Sequence, residues 1–199
     1  MFTHLKAPMK IASLASLLTL TGACLLTAQP ALAQQKLVPA DSSISFVTRQ
    51  MGVPLEGHFK KFDAQVAFNP AQLASSNITL NVDTGSATFD APETDAEMPK
   101  ATWFNVPKFP KATFQSSGIK ALGGGKFEVA GKLSIKGVSR DVVAPVTVVQ
   151  NGAISTASGT LTIQRLTFKI GENEWADTSM VADDVQIKFK LALSGVAKL

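Results

Sequence analysis

The sequence predicts an all-β domain: a small antiparallel barrel or sandwich with one short helical insert. Three observations carry this. Apolar and polar residues alternate with period two over most of the chain from Asp41 onward. Gly- and Asn-rich turn signals separate the alternating runs, and the one stretch that breaks the alternation is rich in proline. Eight or nine such runs fit a single small barrel.

The elements follow in chain order. Lys6 and Lys10 precede an uncharged apolar run, Ile11 to Leu26, that closes with Ala31-Leu32-Ala33, the pattern of a cleaved Sec signal peptide over residues 1–33. A single domain over residues 34–199 and export to the periplasm are the corresponding expectations. Cys24, the only cysteine, lies in that leader, so the exported chain is expected to carry neither thiol nor disulfide. Losing Lys6 and Lys10 from 19 basic residues leaves a near balance with the 15 acids, and no basic run marks a nucleic-acid surface.

Weak alternation at Ile44-Phe46, Ala64-Val66-Phe68, Ile78-Leu80-Val82 and Ala112 to Ile119 marks the first strands. Strong alternation follows, with Phe127, Val129, Leu133 and Ile135 against Glu128, Lys132, Ser134 and Lys136. Near the C-terminus Val185, Ile187, Phe189, Leu191 and Leu193 alternate with Asp184, Gln186, Lys188, Lys190 and Ala192. Gly123-Gly124-Gly125, Lys136-Gly137 and Asn151-Gly152 supply turns. Between Asp90 and Pro110, four prolines frame an acidic half (Glu93, Asp95, Glu97) and an aromatic half (Trp103, Phe104, Phe109), read as a helix from near Pro92 to beside Trp103-Phe104. The alternation changes phase at Gln164-Arg165 and again after Phe46, predicting bulges or bends there.

The residue inventory argues against common catalytic templates. His58 is the only histidine outside the leader, and there is no Gly-x-Ser-x-Gly, phosphate loop or cysteine nucleophile. Glu93, Asp95 and Glu97 could serve an enzyme only if brought together, and alternate helix positions point apart. The chain is therefore read as a non-enzyme without metal or cofactor. What it has in quantity is bulky apolar side chains, 12 Phe and 2 Trp against no Tyr. These either fill a core or line a cavity, since an eight-stranded barrel can do either.

The residues then resemble a family. Phe46 to Phe68, with Met51-Gly52 and Gly57-His58-Phe59-Lys60-Lys61-Phe62, is similar to the opening hairpin of the YceI family. Lys108-Phe109-Pro110-Lys111-Ala112-Thr113-Phe114 resembles its Lys-Phe-Pro-x-Ala-x-Phe element, and Gly131 to Ser139 its Gly-x-Leu-x-x-x-Gly-Val-[Ser/Thr] element. The similarity runs from Leu37 to Gly195. It implies a lipocalin-like, eight-stranded antiparallel barrel in the periplasm whose interior binds a long polyisoprenoid, a prenyl diphosphate or an isoprenoid quinone, with transient membrane contact. Thr94-Asp95-Ala96-Glu97-Met98 stands where many members carry Arg-Asp-x-His-Leu, keeping the Asp but not the Arg or His. Gly171 to Thr178 resembles a subgroup also fused to cytochrome b561-like membrane proteins.

Inward positions expected to contact such a tail are Phe46, Met51, Val53, Phe59, Phe68, Leu80, Met98, Trp103, Phe104, Phe114, Phe127, Leu133 and Phe189, with Met98 and Trp103 covering the mouth. Among the three arginines, Arg165, beside the phase break, and Arg49 are the candidates for gripping a charged head group. The competing expectation is a structural or protein-interaction barrel with a filled core and no lipid.

Overall fold

Alternating side chains become ladders. In the computed structural model, which describes residues 35–199, the strands are β1 (Lys36–Leu37), β2 (Ser43–Gln50), β3 (Val53–Phe59), β4 (Phe62–Ala67), β5 (Asn77–Asp83) and β6 (Ala87–Thr88). After helix α1 (Pro92–Glu97) come β7 (Lys111–Gly123), β8 (Lys126–Ile135), β9 (Val138–Asn151), β10 (Ile154–Gln164) and β11 (Asp184–Ser194). The proposed signal peptide lies outside the described residues.

All pairings are antiparallel, in the order β4-β5-β7-β8-β9-β10-β11-β2-β3-β6, with β1 on β11. The longest register is between β10 and β11, from Ile154 opposite Ser194 to Gln164 opposite Asp184. The sheet curls, because its two outer members are close neighbours in sequence of inner ones. β3 passes into β4 through Lys60-Lys61, and β5 into β6 through a 3-10 turn at Thr84–Ser86. Backbone hydrogen bonds from Lys60 N to Ser86 O (3.1 Å) and from Asp83 N to Lys61 O (3.0 Å) hold the two bends together. The Ser86 hydroxyl accepts from Lys61 N (3.0 Å) and donates to Asp83 O (2.7 Å).

These bends correct the strand count: the structure has eleven strands, not eight. Two of the extra segments come from the breaks in β3/β4 and β5/β6. The third is β1, which extends along β11 beyond β2 and covers Leu193. Alternation ends in three consecutive buried residues, Leu191-Ala192-Leu193, where the segment after β1 lies along Ala192: Val38 N donates to Ala192 O (2.8 Å) and Ala192 N donates to Ser42 Oγ (2.9 Å).

Elsewhere the alternation is as read. Asp184, Gln186, Lys188 and Lys190 are exposed while Val185, Ile187 and Phe189 turn inward, so the charged face is outside, the reverse of a membrane-spanning barrel. Both phase breaks are real, but neither is a bulge. Met51 and Gly52, both at positive φ, form the two-residue turn joining β2 to β3. At Gln164 the ladder stops and Arg165–Phe168 forms a 3-10 turn ended by Lys169 in the left-handed region.

The helix is shorter than read. It stops after Glu97 because Pro99 has no N–H to donate and its ring crowds the preceding turn. The chain from Met98 to Phe109 is held instead by turns such as Phe104 N to Met98 O (3.0 Å) and Lys108 N to Asn105 O (2.9 Å).

Candidate functional site: a two-chambered apolar interior

The inner face of the curled sheet encloses two adjoining chambers. The first, about 180 Å³, is lined by apolar side chains with the single exception of Ser155, and none of its lining residues is exposed. Phe68, Leu80, Phe114, Phe127, Leu133 and Phe189 stand on its wall. The second, about 380 Å³, lies under the helical insert and has a mixed wall. Phe46, Met98 and Trp103 line it together with Thr48, Gln50, Glu93, Thr94, Glu97 and Arg165, and exposed Gln50 and Glu93 mark its solvent side. Phe59, Phe104, Ile135 and Ile187 line both.

Room for the aromatic rings is made by glycine on the neighbouring strand. Gly57 lies opposite Phe46 and Gly159 opposite Phe189, and a Cβ on either would fall 2.5 Å from the ring. Gly131 clears the Phe114 ring in the same way, at 2.5 Å. A ring laid over a cross-strand glycine leans along the sheet and leaves space above it. The rings then contact one another: Phe46 with Phe59 and with Phe89 (centroids 5.2 Å apart in each case), and Phe68 with Phe127 (5.3 Å).

Two of the thirteen lining candidates are elsewhere. Met51 (69% exposed) and Val53 (66% exposed) sit at the tip of the β2–β3 hairpin and face solvent. The reason is the turn itself: a two-residue hairpin ends the ladder at Gln50 and Val53, so the apolar residues beyond Thr48 belong to the rim and not to the wall.

The arginine candidates are also corrected. Arg49 follows inward-facing Thr48 and therefore points out; it is exposed and reaches only the Gly52 carbonyl, at 3.4 Å. Arg165 is 1% exposed and lines the second chamber, but its guanidinium is saturated. Nε donates to Ala182 O (3.0 Å), Nη1 to Ile170 O and Gly171 O (2.9 Å each), and Nη2 to Trp175 O and Val181 O (2.7 Å each). Five donors meet five carbonyls, which is the whole capacity of the group. Burial pulls its pKa below the ordinary arginine value, and Asp183 opposes that shift. Arg165 ties the 165–183 segment to the wall and has no donor left for a head group.

Lys136 does comparable work nearby. Buried at a positive-φ turn position, it donates to Lys169 O (2.6 Å) and pairs with Glu172 (2.9 Å). Asp95 fastens the insert, accepting from Thr88 Oγ1 (2.5 Å) and Phe89 N (2.7 Å), and those bonds hold its carboxyl below the usual range. It is thus engaged in structure and not paired with Glu93 or Glu97 for acid–base work.

Three buried polar groups lack a partner, and sequence reasoning named only Trp103 among their residues. Thr48 Oγ1, Trp103 Nε1 and Ser155 Oγ are buried with no hydrogen-bond partner among the described residues, the first two in the second chamber and the third in the first. Thr48 shares the phase of Phe46 two residues earlier, which was a usable signal. Ser155 had none, because its run Ile154 to Ser158 lacks an apolar alternation.

Residues 35–193 match the family described as the YceI-like domain. The chain belongs to that family. Among curated relatives it is 33% identical over 105 residues to a UPF0312 protein of Vibrio cholerae, covering 52% of this chain and 56% of the relative. It is 33% identical over 126 residues to a UPF0312 protein of Azotobacter vinelandii, covering 61% and 66%. The chain thus spans somewhat over half, and less than two thirds, of the length of these relatives.

Among solved structures, Burkholderia cenocepacia BcnA superposes with a TM-score of 0.77 at 46% identity, over 79% of this chain and 99% of BcnA. A polyisoprenoid binding domain from Saccharophagus degradans, implicated in plant cell wall breakdown, shares the fold with a TM-score of 0.67 at 14% identity, over 81% and 98%. The Campylobacter jejuni YceI protein does so with a TM-score of 0.63 at 22% identity, over 69% and 83%.

Proposed function

We propose that this YceI-family protein is an exported, periplasmic carrier that sequesters a long-chain polyisoprenoid lipid in its interior, without catalysing a reaction. The observation that carries the reading is the first chamber. A filled structural core would close on itself, whereas here rings from Phe68, Phe114, Phe127 and Phe189 bound an interior space with no polar wall group but Ser155. A prenyl tail has almost no hydrogen-bonding capacity, and removing it from water is worth about 25 cal/mol per Å². The second chamber, with polar groups on its solvent side, suits the end of such a molecule that must remain near water. The likeness to a domain described as polyisoprenoid binding supports the same ligand class.

Delivery to and from a bilayer fits the hairpin tip, where Met51, Val53 and Met180 are exposed and Met51 N donates to Met180 O (2.8 Å). Native mass spectrometry of the mature protein, gently purified from the periplasm of its host and then solvent-extracted, tests the reading. A stoichiometric lipid whose homologues differ by isoprene units is expected. A lipid-free protein that also refuses added prenyl lipids would overturn it.

A further inference from the structure

The first chamber has no exposed lining residue, so a tail reaches it either by threading past Phe59 and Phe104 or through a wall that opens. Given the carrier reading, on which this step rests, we propose that the wall opens at the seam between the β1–β2 segment and β4, a side entrance to the first chamber that the side chain of Gln35 holds shut. Along the strand order each neighbour is joined by a ladder, but this junction has none. β4 pairs only with β5, β1 only with β11, and the β2–β3 ladder begins at Ser45 opposite His58. Ser43 and Ile44 therefore have β11 on one side and no strand on the other. Among the described residues no backbone hydrogen bond joins residues 35–44 to residues 60–68. A cleft of about 460 Å³ occupies the part of this gap next to β3, with Ser43 and Ile44 on one flank and Lys60, Lys61 and Phe62 on the other. Ile44 and Phe59 line both this cleft and the first chamber, so a single layer of side chains separates solvent from the interior there.

One residue closes the other end of the gap. Gln35 Nε2 donates to Phe68 O (2.7 Å) and Gln35 Oε1 accepts from Phe68 N (2.9 Å), so the side-chain amide stands in for a strand residue opposite Phe68. Phe68 is itself part of the chamber wall and meets Phe127 edge to face. The outer anchors of the two flanks are firmer than this link. Residues 36–42 are tied to β11 by the β1 pairing and by the bonds that Val38 and Ser42 make to Ala192. The bend after β3 is tied to the 84–86 turn through Lys60 N and Lys61 N. Breaking the two Gln35 bonds thus frees one flank from the other without breaking a ladder, and segments held by few hydrogen bonds are where a native protein opens locally. A methyl-branched chain that enters broadside here is not drawn end-first between two rings, although once bound it still lies alongside Phe59.

Gln35→Met in the delipidated mature protein removes both bonds at nearly constant side-chain length. Amide exchange at Phe68, read by NMR, should quicken about fivefold or more, since each net hydrogen bond lost shifts an opening equilibrium by about that factor. Association and dissociation of geranylgeraniol, followed by the fluorescence of Trp103 and Trp175 in the second chamber, should both accelerate by a similar factor and leave Kd unchanged. The control is Gln150→Met, which loosens the segment after β11 where Val196 lines the same chamber; its rates should match the parent's. Faster exchange of the probe in Gln150→Met and not in Gln35→Met would put the entrance at Val196 and overturn the assignment. Parent-like rates in Gln35→Met overturn it too, whether or not the Phe68 amide exchanges faster. Both of those results leave the carrier reading standing. Failure of the parent and both variants to retain geranylgeraniol overturns the carrier reading and this inference with it.

Discussion

Phe59 and Phe104 meet edge to face with ring centroids 6.1 Å apart, and each ring forms part of the wall of both chambers. Phe59 comes from the sheet and Phe104 from the turns that follow α1, so the partition between the chambers joins the two parts of the fold. A tail that begins in the second chamber and ends in the first must pass this pair.

Truncating the partition should therefore have two separable effects. Phe104→Ala removes a buried ring and should cost about 3–5 kcal/mol of stability. It should also merge the chambers, so that bulkier or more branched hydrocarbon chains are retained than by the parent protein. Thermal denaturation reads the first effect and competition between lipids of different chain shape the second. Unchanged chain selectivity in a folded variant would show that the pair does not gate the passage.

The cross-strand glycines make a sharper test of how the cavity is shaped. At Gly159 an added Cβ would lie 2.2 Å from Pro145 O and 2.5 Å from the Phe189 ring, so the backbone and an aromatic both resist it. Gly159→Ala should destabilise by about 1–3 kcal/mol through overpacking and displace the Phe189 ring into the first chamber, lowering lipid capacity. Gly118, where nothing lies within 4 Å of the added Cβ, is the control. Chemical denaturation of the two variants should separate them clearly; equal effects would mean that the ring-over-glycine arrangement does not set the wall.

Much of this interior was legible in the sequence, for a definite reason. A period of two records which side of a strand faces inward, and Phe127, Leu133 and Phe189 were placed on the inner face by that alone; the structure puts them on the wall of the first chamber. The pattern fails where the ladder ends. Met51 and Val53 are apolar and share the phase of Leu55 and Phe59, yet a two-residue turn carries them to the rim, and alternation cannot say where a hairpin stops. Arg165 shows a second limit. The phase break beside it correctly flagged an irregular, buried position, but whether a guanidinium there faces ligand or backbone depends on loop residues 170–182, which have no periodicity to read.

The saturation of Arg165 leads to its own prediction. Arg165→Ala strands five carbonyls that the loop has arranged around one side chain, and should cost at least about 3 kcal/mol. Arg165→Lys should recover only a part, because an ammonium offers three donors on one point and cannot span carbonyls from Ile170 to Ala182. Calorimetric unfolding measures both. In whatever fraction of Arg165→Lys remains folded, affinity for a diphosphate-headed lipid should match the parent, since the group has no free donor to offer. A selective loss of diphosphate binding would mean that the carbonyl network yields to ligand.

Asp95 gives a pH dependence whose sign follows from its bonds. The Thr88 hydroxyl and the Phe89 amide stabilise the carboxylate, so the folded pKa lies below 3.8, the ordinary aspartate value. A depressed acid contributes stability that is fully present above its unfolded pKa and is lost as pH falls through the folded value. The insert that covers the second chamber should therefore stay fastened at neutral pH and loosen only in acid below 3.8. The Phe89 amide resonance, followed by two-dimensional NMR during an acid titration, should move with a midpoint under 3.8, and Asp95→Asn should abolish that transition. A midpoint at or above 3.8 in the parent protein would show that the carboxylate is not held by these donors, and that the helix is anchored by its apolar contacts through Met98 and Phe104 instead.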